Sequence, residues 1–559
     1  MLSFSNVSFT YGRRGKEVLS GLSLDFEENG IYGILGKNGT GKSTMLYLAA
    51  GLLRPKGGNV TAEGMPTQSR RPETLRELFL VPEEFDLPEV SLRTYVQLNA
   101  PFYPTFREDI LARCLKSFEL GDDLNIGRLS MGQKKKVYIS FALAAGTKYL
   151  LMDEPTNGLD IPSKKVFREV IAREMTEERV MIISTHQVRD VEQLIDHVVI
   201  VNEGTVMLNA STAEIESRLR FEQRAVGSDL SDALFVQQTM RGIELICPNS
   251  GNDETPIDLE LLFNALQTVP AEKLIGGNSN NKSSPSKHIR IMKNFNCKRY
   301  WLVLKQNVIQ SRKRSLTSYA GVFLGLFLTF MCISIGTRSN PLRDYTQDGV
   351  ALTFCVFMLG CLVFGSAVLG HLDSKTARIT ALMLPATNLE KFLARLTLCL
   401  PVYWVLYVPV FLAADAAQML TTEVIGGNGQ WIAPELWQEL TNIGDFLNSS
   451  AIQIGDRAFY VLWSIIATCT FTYAVYIFGS AVFRKRAFIL TSVVLFAANI
   501  LSGYMLLSID TREFQLKMGE DFTGILFIVL MFAGAVGLVF ASYKLFCRMQ
   551  VVVPKLFGK

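Results

Sequence analysis

The sequence predicts an α/β domain followed by an all-α domain of membrane-spanning helices. Short apolar strands alternate with helical segments over residues 1–220, and apolar runs of about 20 residues follow one another from Ser318 onward. At 559 residues, the chain is also too long for one hydrophobic core. We therefore expect at least two domains.

The N-terminal half contains the segments expected of a sheet that is covered on both faces. Leu2–Phe9 alternates as a strand, Gly30–Leu35 is an apolar strand, and Ser43–Leu53 has the periodicity of a helix. Tyr149–Met152 and Val180–Ile183 are short apolar runs bounded by turn residues. This order favours an α/β sheet.

Composition divides the chain further. Residues 1–220 form the predicted α/β domain and 221–270 its C-terminal extension. Residues 271–297 are rich in Gly, Asn, Ser and Lys and predict a flexible linker, although a fusion of two subunits remains an alternative. Residues 298–317 are basic and amphipathic, which predicts a helix on the membrane surface; a basic soluble helix is the other interpretation.

The remaining residues, 318–559, predict a transmembrane domain. Lys and Arg lie near its start, after its second and fourth apolar runs and near the C-terminus, whereas Gln418–Asp456 has neither. The positive-inside rule places both ends of this domain in the cytosol and Gln418–Asp456 outside. Six spans are predicted, at about 318–336, 350–370, 394–416, 458–482, 487–508 and 522–546.

Few polar residues interrupt the spans. In the fourth span, Thr468, Cys469, Thr470 and Thr472 are expected to form hydrogen bonds between helices, with a transport path as the alternative. Asp415 is expected at the membrane interface rather than in a proton relay. The sequence therefore gives no sign of ion-coupled transport.

Net charge and cysteine spacing add two further expectations. The net charge of +4 is small and says little about nucleic-acid binding. The nine cysteines do not have the spacing of metal ligands or redox pairs, which predicts free, reduced thiols. The first residues read as a strand rather than a signal peptide, so we expect the N-terminal half to stay in the cytosol.

A phosphate-binding motif follows the strand Gly30–Leu35 and opens the next helix. Its glycines let backbone N–H groups approach phosphates, and the helix N-terminus adds favourable partial charge. Lys42 is predicted to reach the β- and γ-phosphates and Ser43 to hold Mg²⁺. The predicted nucleotide-binding residues here are Gly36, Lys37, Asn38, Gly39, Thr40, Gly41, Lys42, Ser43 and Thr44.

The apolar run Tyr149–Met152 ends in two acids. Asp153 is predicted to contact Mg²⁺, and Glu154 to polarise the attacking water. Alone this signal is weak, because many buried strands end in Asp. Its place after a phosphate loop strengthens it.

Between these motifs lies a pentapeptide that no general phosphate chemistry demands. With Ser184-Thr185-His186 it completes an ordered set that resembles the ATP-binding cassette (ABC) ATPases over residues 1 to about 267. In that family two ATP molecules are sandwiched between two domains, so the resemblance implies a signature that acts in trans. Its residues are Leu129, Ser130, Met131, Gly132 and Gln133.

The resemblance implies further roles. His186 would contact the γ-phosphate and act in catalysis with Glu154, Asp160 would lie in the loop that joins the two sites, and Tyr11 would stack on adenine. Taken alone, Tyr11 could be a surface tyrosine and His186 a core histidine. The order of the motifs favours the functional interpretation.

Two residues depart from the family pattern. Met131 replaces a glycine of the signature at a tolerant position. Glu83, in Val81-Pro82-Glu83, replaces the glutamine that contacts Mg²⁺. A carboxylate can ligate Mg²⁺, so Glu83 joins Ser43 and Asp153 as a candidate ligand, but it also adds negative charge near the triphosphate.

The membrane half resembles the six-span domain of ABC-2 type transporters through its entry helix, its span count and the stretch Leu382–Lys391. This resemblance implies that residues 371–391 contact the ATPase and transmit its closure; a plain solvated loop is the alternative.

Together these features predict an ABC half-transporter that hydrolyses Mg-ATP and pairs with a second copy of itself or with a paralogue. It is predicted to be a multi-pass protein of the plasma (inner) membrane with a cytoplasmic ATPase domain. The resemblance favours export and leaves the substrate open. The alternative is an ABC ATPase that transmits force or a signal without moving a solute. The spans exclude a soluble ABC protein acting on nucleic acid.

Overall fold

The computed structural model describes most of the chain, in two compact units. The first comprises Met1–Phe295, Lys375–Thr387 and the residues from Gln550 onward, and the second comprises Asn296–Ser374 and Asn388–Met549. The predicted linker falls largely outside the described residues. Those are 1–12, 15–27, 29–121, 123–240, 242–249, 255–274, 295–338, 345–425, 430–441, 457–483, 486–507 and 520–551.

The elements up to Leu274 alternate strands and helices, as the sequence predicts. In chain order they are β1 (Leu2–Thr10), β2 (Glu17–Phe26), β3 (Gly30–Leu35), α1 (Lys42–Ala49), β4 (Gly57–Ala62), β5 (Met65–Pro66), α2 (Pro72–Arg76), β6 (Leu78–Val81), α3 (Leu92–Asn99), α4 (Glu108–Ser117), α5 (Met131–Ala144), β7 (Tyr149–Asp153), α6 (Ile161–Glu174), β8 (Val180–Thr185), β9 (His197–Asn202), β10 (Thr205–Ser211), α7 (Thr212–Arg218), β11 (Leu219–Arg224), β12 (Phe235–Thr239), β13 (Gly242–Pro248), α8 (Leu259–Ala265) and α9 (Ala271–Leu274).

A six-stranded sheet forms the centre of this unit, with the strand order β10-β9-β3-β8-β7-β6. All its strand pairs are parallel except that of β9 with β10. Every residue of β3, β7 and β8 is buried. Burial on both faces explains why these strands read as continuous apolar runs, and it confirms the predicted α/β class.

The register of the sheet brings the functional motifs to one edge. Leu35, the last residue of β3, lies opposite Thr185 of β8, and Asp153 of β7 lies opposite Ser184. Since these strands are parallel, the segments that follow them emerge at the same carboxyl end. Ligands bind at this edge in open α/β sheets.

Two smaller antiparallel sheets complete the first part of the chain. One has the order β2-β1-β4-β5, and the other has the order β11-β13-β12. The second sheet begins at Leu219, two residues before the predicted C-terminal extension 221–270. The short helix α12 (Lys375–Met383) belongs to the same compact unit, although in sequence it follows the long helices α10 (Cys297–Arg338) and α11 (Tyr345–Ser366).

The second unit is helical. Five helical segments in the described residues are long and apolar enough to cross a membrane, and the predicted fifth span corresponds to an apolar helix whose described side chains end at Leu501. The six-span count is therefore not confirmed. The helices are α10 (Cys297–Arg338), α11 (Tyr345–Ser366), α13 (Asn388–Cys399), α14 (Pro401–Val424), α15 (Ala433–Thr441), α16 (Arg457–Val482), α17 (Ala487–Leu507) and α18 (Glu520–Cys547).

Helix boundaries differ from the prediction at two places. The predicted surface helix 298–317 and the first span 318–336 form one continuous helix of 42 residues. The predicted third span, 394–416, is interrupted at Leu400, which separates α13 from α14; Pro401 opens the second helix, where its missing N–H is not needed.

Polar side chains in the spans form hydrogen bonds with backbone groups of the same unit. The hydroxyls of Thr468, Thr470 and Thr472 each donate to the carbonyl four residues earlier in α16, so the prediction of interhelical bonds was wrong for these donors. Asp415 is fully buried and accepts bonds from the N–H groups of Ile432 and Ala433 at the start of α15. It caps a helix, a role that the sequence did not reveal.

A buried ion pair joins α10 to α13. Arg299 lies 2.9 Å from Glu390, whose side chain is completely buried, and Glu390 also accepts a bond of 2.7 Å from the N–H of Asn296. A carboxylate removed from solvent in this way depends on its partners, because a single buried charge without them is costly.

Replacing Arg299 with Met should lower the stability of the helical unit by about 3–5 kcal/mol, since Glu390 would lose its cationic partner. The thermal unfolding midpoint of the protein in lipid should fall by several degrees. The control is Lys298→Met, which changes an exposed neighbour. Equal midpoints for the two variants would show that the pair does not stabilise this unit.

Candidate nucleotide site

The loop between β3 and α1 is shaped to receive an anion. Gly39 and Gly41 have φ values of 87° and 105°, and a Cβ on Gly36 would lie 2.6 Å from the carbonyl oxygen of Val201. The N-terminus of α1 has no side-chain cap and no acidic residue in its first turn, so its N–H groups are available to phosphate oxygens. Of the predicted loop residues, Lys37, Asn38 and Gly39 are exposed, Ser43 is half-buried, and Gly36, Thr40, Gly41, Lys42 and Thr44 are buried.

Lys42 lies over this loop. Its side-chain Nζ donates to the carbonyl oxygens of Gly36 at 2.6 Å and Lys37 at 3.1 Å. Burial lowers its pKa, and the neighbouring carboxylates, Glu154 foremost, act in the opposite direction. The ammonium is therefore held beside the loop by acceptors that phosphate oxygens can replace.

Asp153 connects three elements of the site. Its Oδ1 accepts hydrogen bonds from Ser43 at 2.9 Å and from Ser184 at 2.6 Å. Burial raises the pKa of Asp153, whereas these two hydroxyl groups lower it. The structure thus brings together Ser43 and Asp153, as the sequence predicted.

The donor set at this point fits Mg²⁺. One carboxylate and one hydroxyl are typical protein ligands of this ion, which takes its other ligands from phosphates and water. Within the described residues, no group of three or more His, Cys, Asp or Glu side chains is arranged to hold a metal ion. The chain therefore offers a partial site that a bound triphosphate would complete.

Glu154 and His186 are in direct contact. The Oε1 of Glu154 lies 2.7 Å from His186 Nδ1 and accepts a bond of 3.0 Å from the His186 N–H, while Oε2 accepts from the Thr185 hydroxyl at 3.0 Å. Glu154 also has a φ of 47°, in the left-handed region. A non-glycine residue adopts this conformation only where its surroundings fix it, and such strain is common at functional sites.

Lys135 supports the turn that carries Glu154, and the sequence analysis missed it. Its buried Nζ donates at 2.8 Å to the carbonyl oxygens of both Glu154 and Asn157. Burial lowers its pKa to about 8. The available signal was its spacing, because Lys135 shares a helical face with Ile139 and Ala142, which are buried.

The signature residues lie at the start of α5. Ser130 and Gln133 form a capping box, in which Ser130 Oγ accepts from the Gln133 N–H and Gln133 Oε1 accepts from the Ser130 N–H. Both are exposed, and Met131 is 60% exposed. Leu129 and Gly132 are half-buried. In the described part of the chain, no hydrogen bond joins this segment to the phosphate loop of the same chain.

The segment after Glu154 is fixed by polar side chains. Asp160 caps α6 by accepting a bond of 3.2 Å from the Ser163 N–H. Hydrogen bonding to Ser163, from its side chain first and its N–H second, lowers the pKa of Asp160. Asn157 accepts a bond of 3.0 Å from the Gln187 side chain. These contacts link the segment to the residues that follow β8.

Glu83 faces this segment. Its Oε1 accepts a bond of 3.2 Å from the Asn157 side chain, and its carboxylate is exposed. Its charge opposes the lowering of the pKa of Lys42 by burial and adds to the raising of the pKa of Asp153. Glu83 therefore acts on the site electrostatically in this structure.

Tyr11 reaches the site from the end of β1. Its hydroxyl lies 2.7 Å from Thr44 Oγ1, and its ring packs edge-on against Phe9 at 4.9 Å between centroids. The structure therefore places the predicted adenine-contacting residue beside the phosphate-loop helix.

A phosphate loop, a buried aspartate and an adjacent glutamate at the carboxyl edge of a parallel sheet define a nucleoside-triphosphate hydrolase. Residues 19–157 match the family model described as ABC transporter. The chain is 33% identical over 229 residues to the ABC transporter ATP-binding protein NatA of Bacillus subtilis, covering 40% of this chain and 90% of NatA. The chain therefore belongs to the ABC transporter family and carries its ATP-hydrolysing domain.

Two further relatives differ in what they transport. The chain is 31% identical to the cobalt import ATP-binding protein CbiO of Salmonella paratyphi A, covering 38% of this chain and 82% of CbiO. It is 26% identical to the SkfA peptide export ATP-binding protein SkfE of Bacillus subtilis, covering 40% of this chain and 95% of SkfE. These matches leave more than half of this chain uncovered.

Replacing Lys135 with Met should lower kcat for ATP hydrolysis by about tenfold to hundredfold, because the backbone carbonyls of Glu154 and Asn157 would lose their donor. The assay is the steady-state hydrolysis rate in lipid, measured alongside the melting temperature. Lys134→Met, at the half-buried neighbouring position, is the control. If both variants hydrolyse ATP at the wild-type rate, Lys135 does not support the turn.

Replacing Glu83 with Gln should lower KM for Mg-ATP about two- to fivefold, because one negative charge near the bound triphosphate is removed and exposed charges act weakly. High salt should reduce the difference. Glu84→Gln removes an equally exposed neighbouring charge and serves as the control. A KM that is unchanged at low salt would contradict an electrostatic role for Glu83.

Proposed function

We propose that this chain is half of an ATP-driven exporter of the ABC-2 type, and that two copies together form the working transporter. The observation that carries the proposal is the exposed signature. The chain has one phosphate loop and one Leu129–Gln133 signature, and the signature is not bonded to its own loop in the described residues. A second chain would supply the missing half of each site.

In this proposal, Mg-ATP binds at the carboxyl edge of the central sheet. Lys42 exchanges its loop carbonyls for phosphate oxygens, and the N-terminus of α1 holds the phosphates by its N–H groups. Ser43 and Asp153 would hold Mg²⁺, which supplies charge neutralisation of the phosphates. Tyr11 would contact the adenine from the end of β1.

Hydrolysis then depends on Glu154 and His186. Glu154 orients the attacking water, and His186 contacts the γ-phosphate. In the structure His186 Nδ1 lies 2.7 Å from Glu154, which leaves Nε2 as the ring nitrogen that would contact the γ-phosphate. Ser130, Gly132 and Gln133 of the second chain would cover the same phosphate, with Asp160 joining the two sites.

The proposed location is the plasma (inner) membrane, with the ATPase core of 1–220 in the cytoplasm and the spans in 318–559. The apolar surface of the helical unit supports membrane insertion: Phe496, Val536 and Val405 are 68%, 70% and 71% exposed. Apolar patches of this kind are unfavourable in water and favourable in lipid.

The proposed direction rests on resemblance to ABC-2 systems. CbiO is named for import and SkfE for export, so the ATPase relatives favour neither direction. The substrate class remains open within this proposal, because a fold alone does not define the substrate.

The test is Mg²⁺-dependent ATP hydrolysis by the full chain in lipid, beside Glu154→Gln. The wild type should hydrolyse ATP, and the variant should bind ATP but turn over about 10²–10⁴-fold more slowly, because it lacks a group to orient and activate water. ATP should also increase the dimer fraction of the variant. A monomeric variant with ATP bound would contradict the two-copy assembly.

A further inference from the structure

Two segments adjacent to the predicted spans belong to the unit that contains the ATPase. One includes α12 and follows the second candidate span, and the other begins at Gln550, directly after the last helix, α18. The first corresponds to the loop that the resemblance to ABC-2 transporters singles out. The second has no assigned role.

The segment after the last span is bonded to the chain that follows the phosphate-loop helix. The N–H of Val551 donates to the carbonyl of Leu52 at 3.0 Å, and the side-chain Oε1 of Gln550 accepts from the N–H of Arg54 at 3.3 Å. Val551 is fully buried. The contact of Gln550 and Val551 with Leu52 and Arg54, called the junction below, is therefore buried and hydrogen-bonded.

Helix α12 meets the same junction. Arg378 is only 7% exposed, and its Nε donates to the carbonyl of Val551 at 2.8 Å. Lys375, one turn earlier, holds its ammonium 5.0 Å from the ring centroid of Tyr47 on α1. Both membrane-linked segments thus contact each other, and both contact α1 or the residues directly after it.

A displacement at this junction has a short path to the nucleotide. Helix α1 begins at Lys42 and Ser43 and spans eight residues, about 12 Å. The hydroxyl of Tyr47 is buried. The ring that Lys375 contacts lies on the same helix as Ser43, the proposed Mg²⁺ ligand.

We propose that Gln550–Val551 is a second coupling element, which connects the last span to the phosphate-loop helix, and that Arg378 is the positioning residue that joins it to α12. This inference rests on the proposed function. It gives the last span its own connection to the ATPase domain, in addition to the connection through α12.

The arrangement holds α1 and the residues after it at two points instead of one, at Tyr47 on the helix and at Leu52 beyond its end. With the first contact alone, α12 could rotate about Tyr47 without moving α1. The Arg378–Val551 bond closes a triangle between α12, the C-terminal segment and the end of α1. Coupling between sites requires such a contiguous element whose arrangement both sites influence.

The first experiment compares Arg378→Met with Arg548→Met in the full chain in lipid. Arg378→Met keeps the apolar stem and removes the donor to Val551, whereas Arg548 is an exposed arginine three residues before Val551. We expect kcat for ATP hydrolysis to fall about 2- to 30-fold in Arg378→Met with KM for ATP unchanged, the range seen for coupling residues. Arg548→Met should match the wild type.

The second experiment separates coupling from folding. Val551→Pro removes the N–H that bonds Leu52, and the pair Arg54→Cys and Gln550→Cys allows this segment to be fastened again by a reversible bis-methanethiosulfonate cross-link. Cross-linking should restore the lost turnover of Val551→Pro, and a reductant should abolish the recovery. Wild type and each single-cysteine variant, treated with the same reagent, control for the nine native cysteines.

Wild-type rates in both Arg378→Met and Val551→Pro would overturn the inference, as would lower rates that a verified cross-link does not restore. In either case a wild type that hydrolyses Mg-ATP leaves the proposed function intact. A wild type without hydrolysis would instead overturn the proposed function, and the inference with it.

Discussion

The hydrogen bonds at Asp153 are the constraint on which the site depends. This buried carboxylate receives Ser43 from the phosphate loop and Ser184 from β8, so one side chain fixes the relative position of three neighbouring segments. Burial opposes its charge and raises its pKa, and the two hydroxyl groups act against that effect. A cation at this point would remove the remaining penalty of burying the carboxylate.

The turn that carries Glu154 is held by hydrogen bonds in the same way. Glu154 has a backbone conformation that is unfavourable for a non-glycine residue, and it is fixed from two sides. His186 and Thr185 hold its carboxylate, while Lys135 holds its carbonyl. Because Lys135 is on the signature helix α5, the helix that meets a partner in the proposed dimer also contacts the residue that would activate water.

Local pattern predicted much of this arrangement, but not its long-range bonds. The apolar run Gly30–Leu35 has the same bounds as β3. The phosphate-loop motif and the acid at the end of a later apolar run predicted Ser43 and Asp153 as neighbours, and the two side chains are hydrogen-bonded. Lys135 was not predicted because it donates to main-chain carbonyls 19 and 22 residues away. Any residue type can supply such a carbonyl, so the sequence shows no motif for this contact. The cap that Asp415 provides was missed for the same reason, since its partners are backbone N–H groups.

Two exposed surfaces of the chain differ in their chemistry. On the helical unit, large side chains such as Val536 and Phe496 lie mostly exposed, which only an apolar surrounding makes favourable. On the ATPase unit, the exposed signature is polar, and Ser130 caps the helix that follows it. Water can hydrate this second surface, so the fold of a single chain does not depend on covering it. In the proposed dimer, the second copy with its bound nucleotide would cover it, and the signature would then act in function rather than in folding.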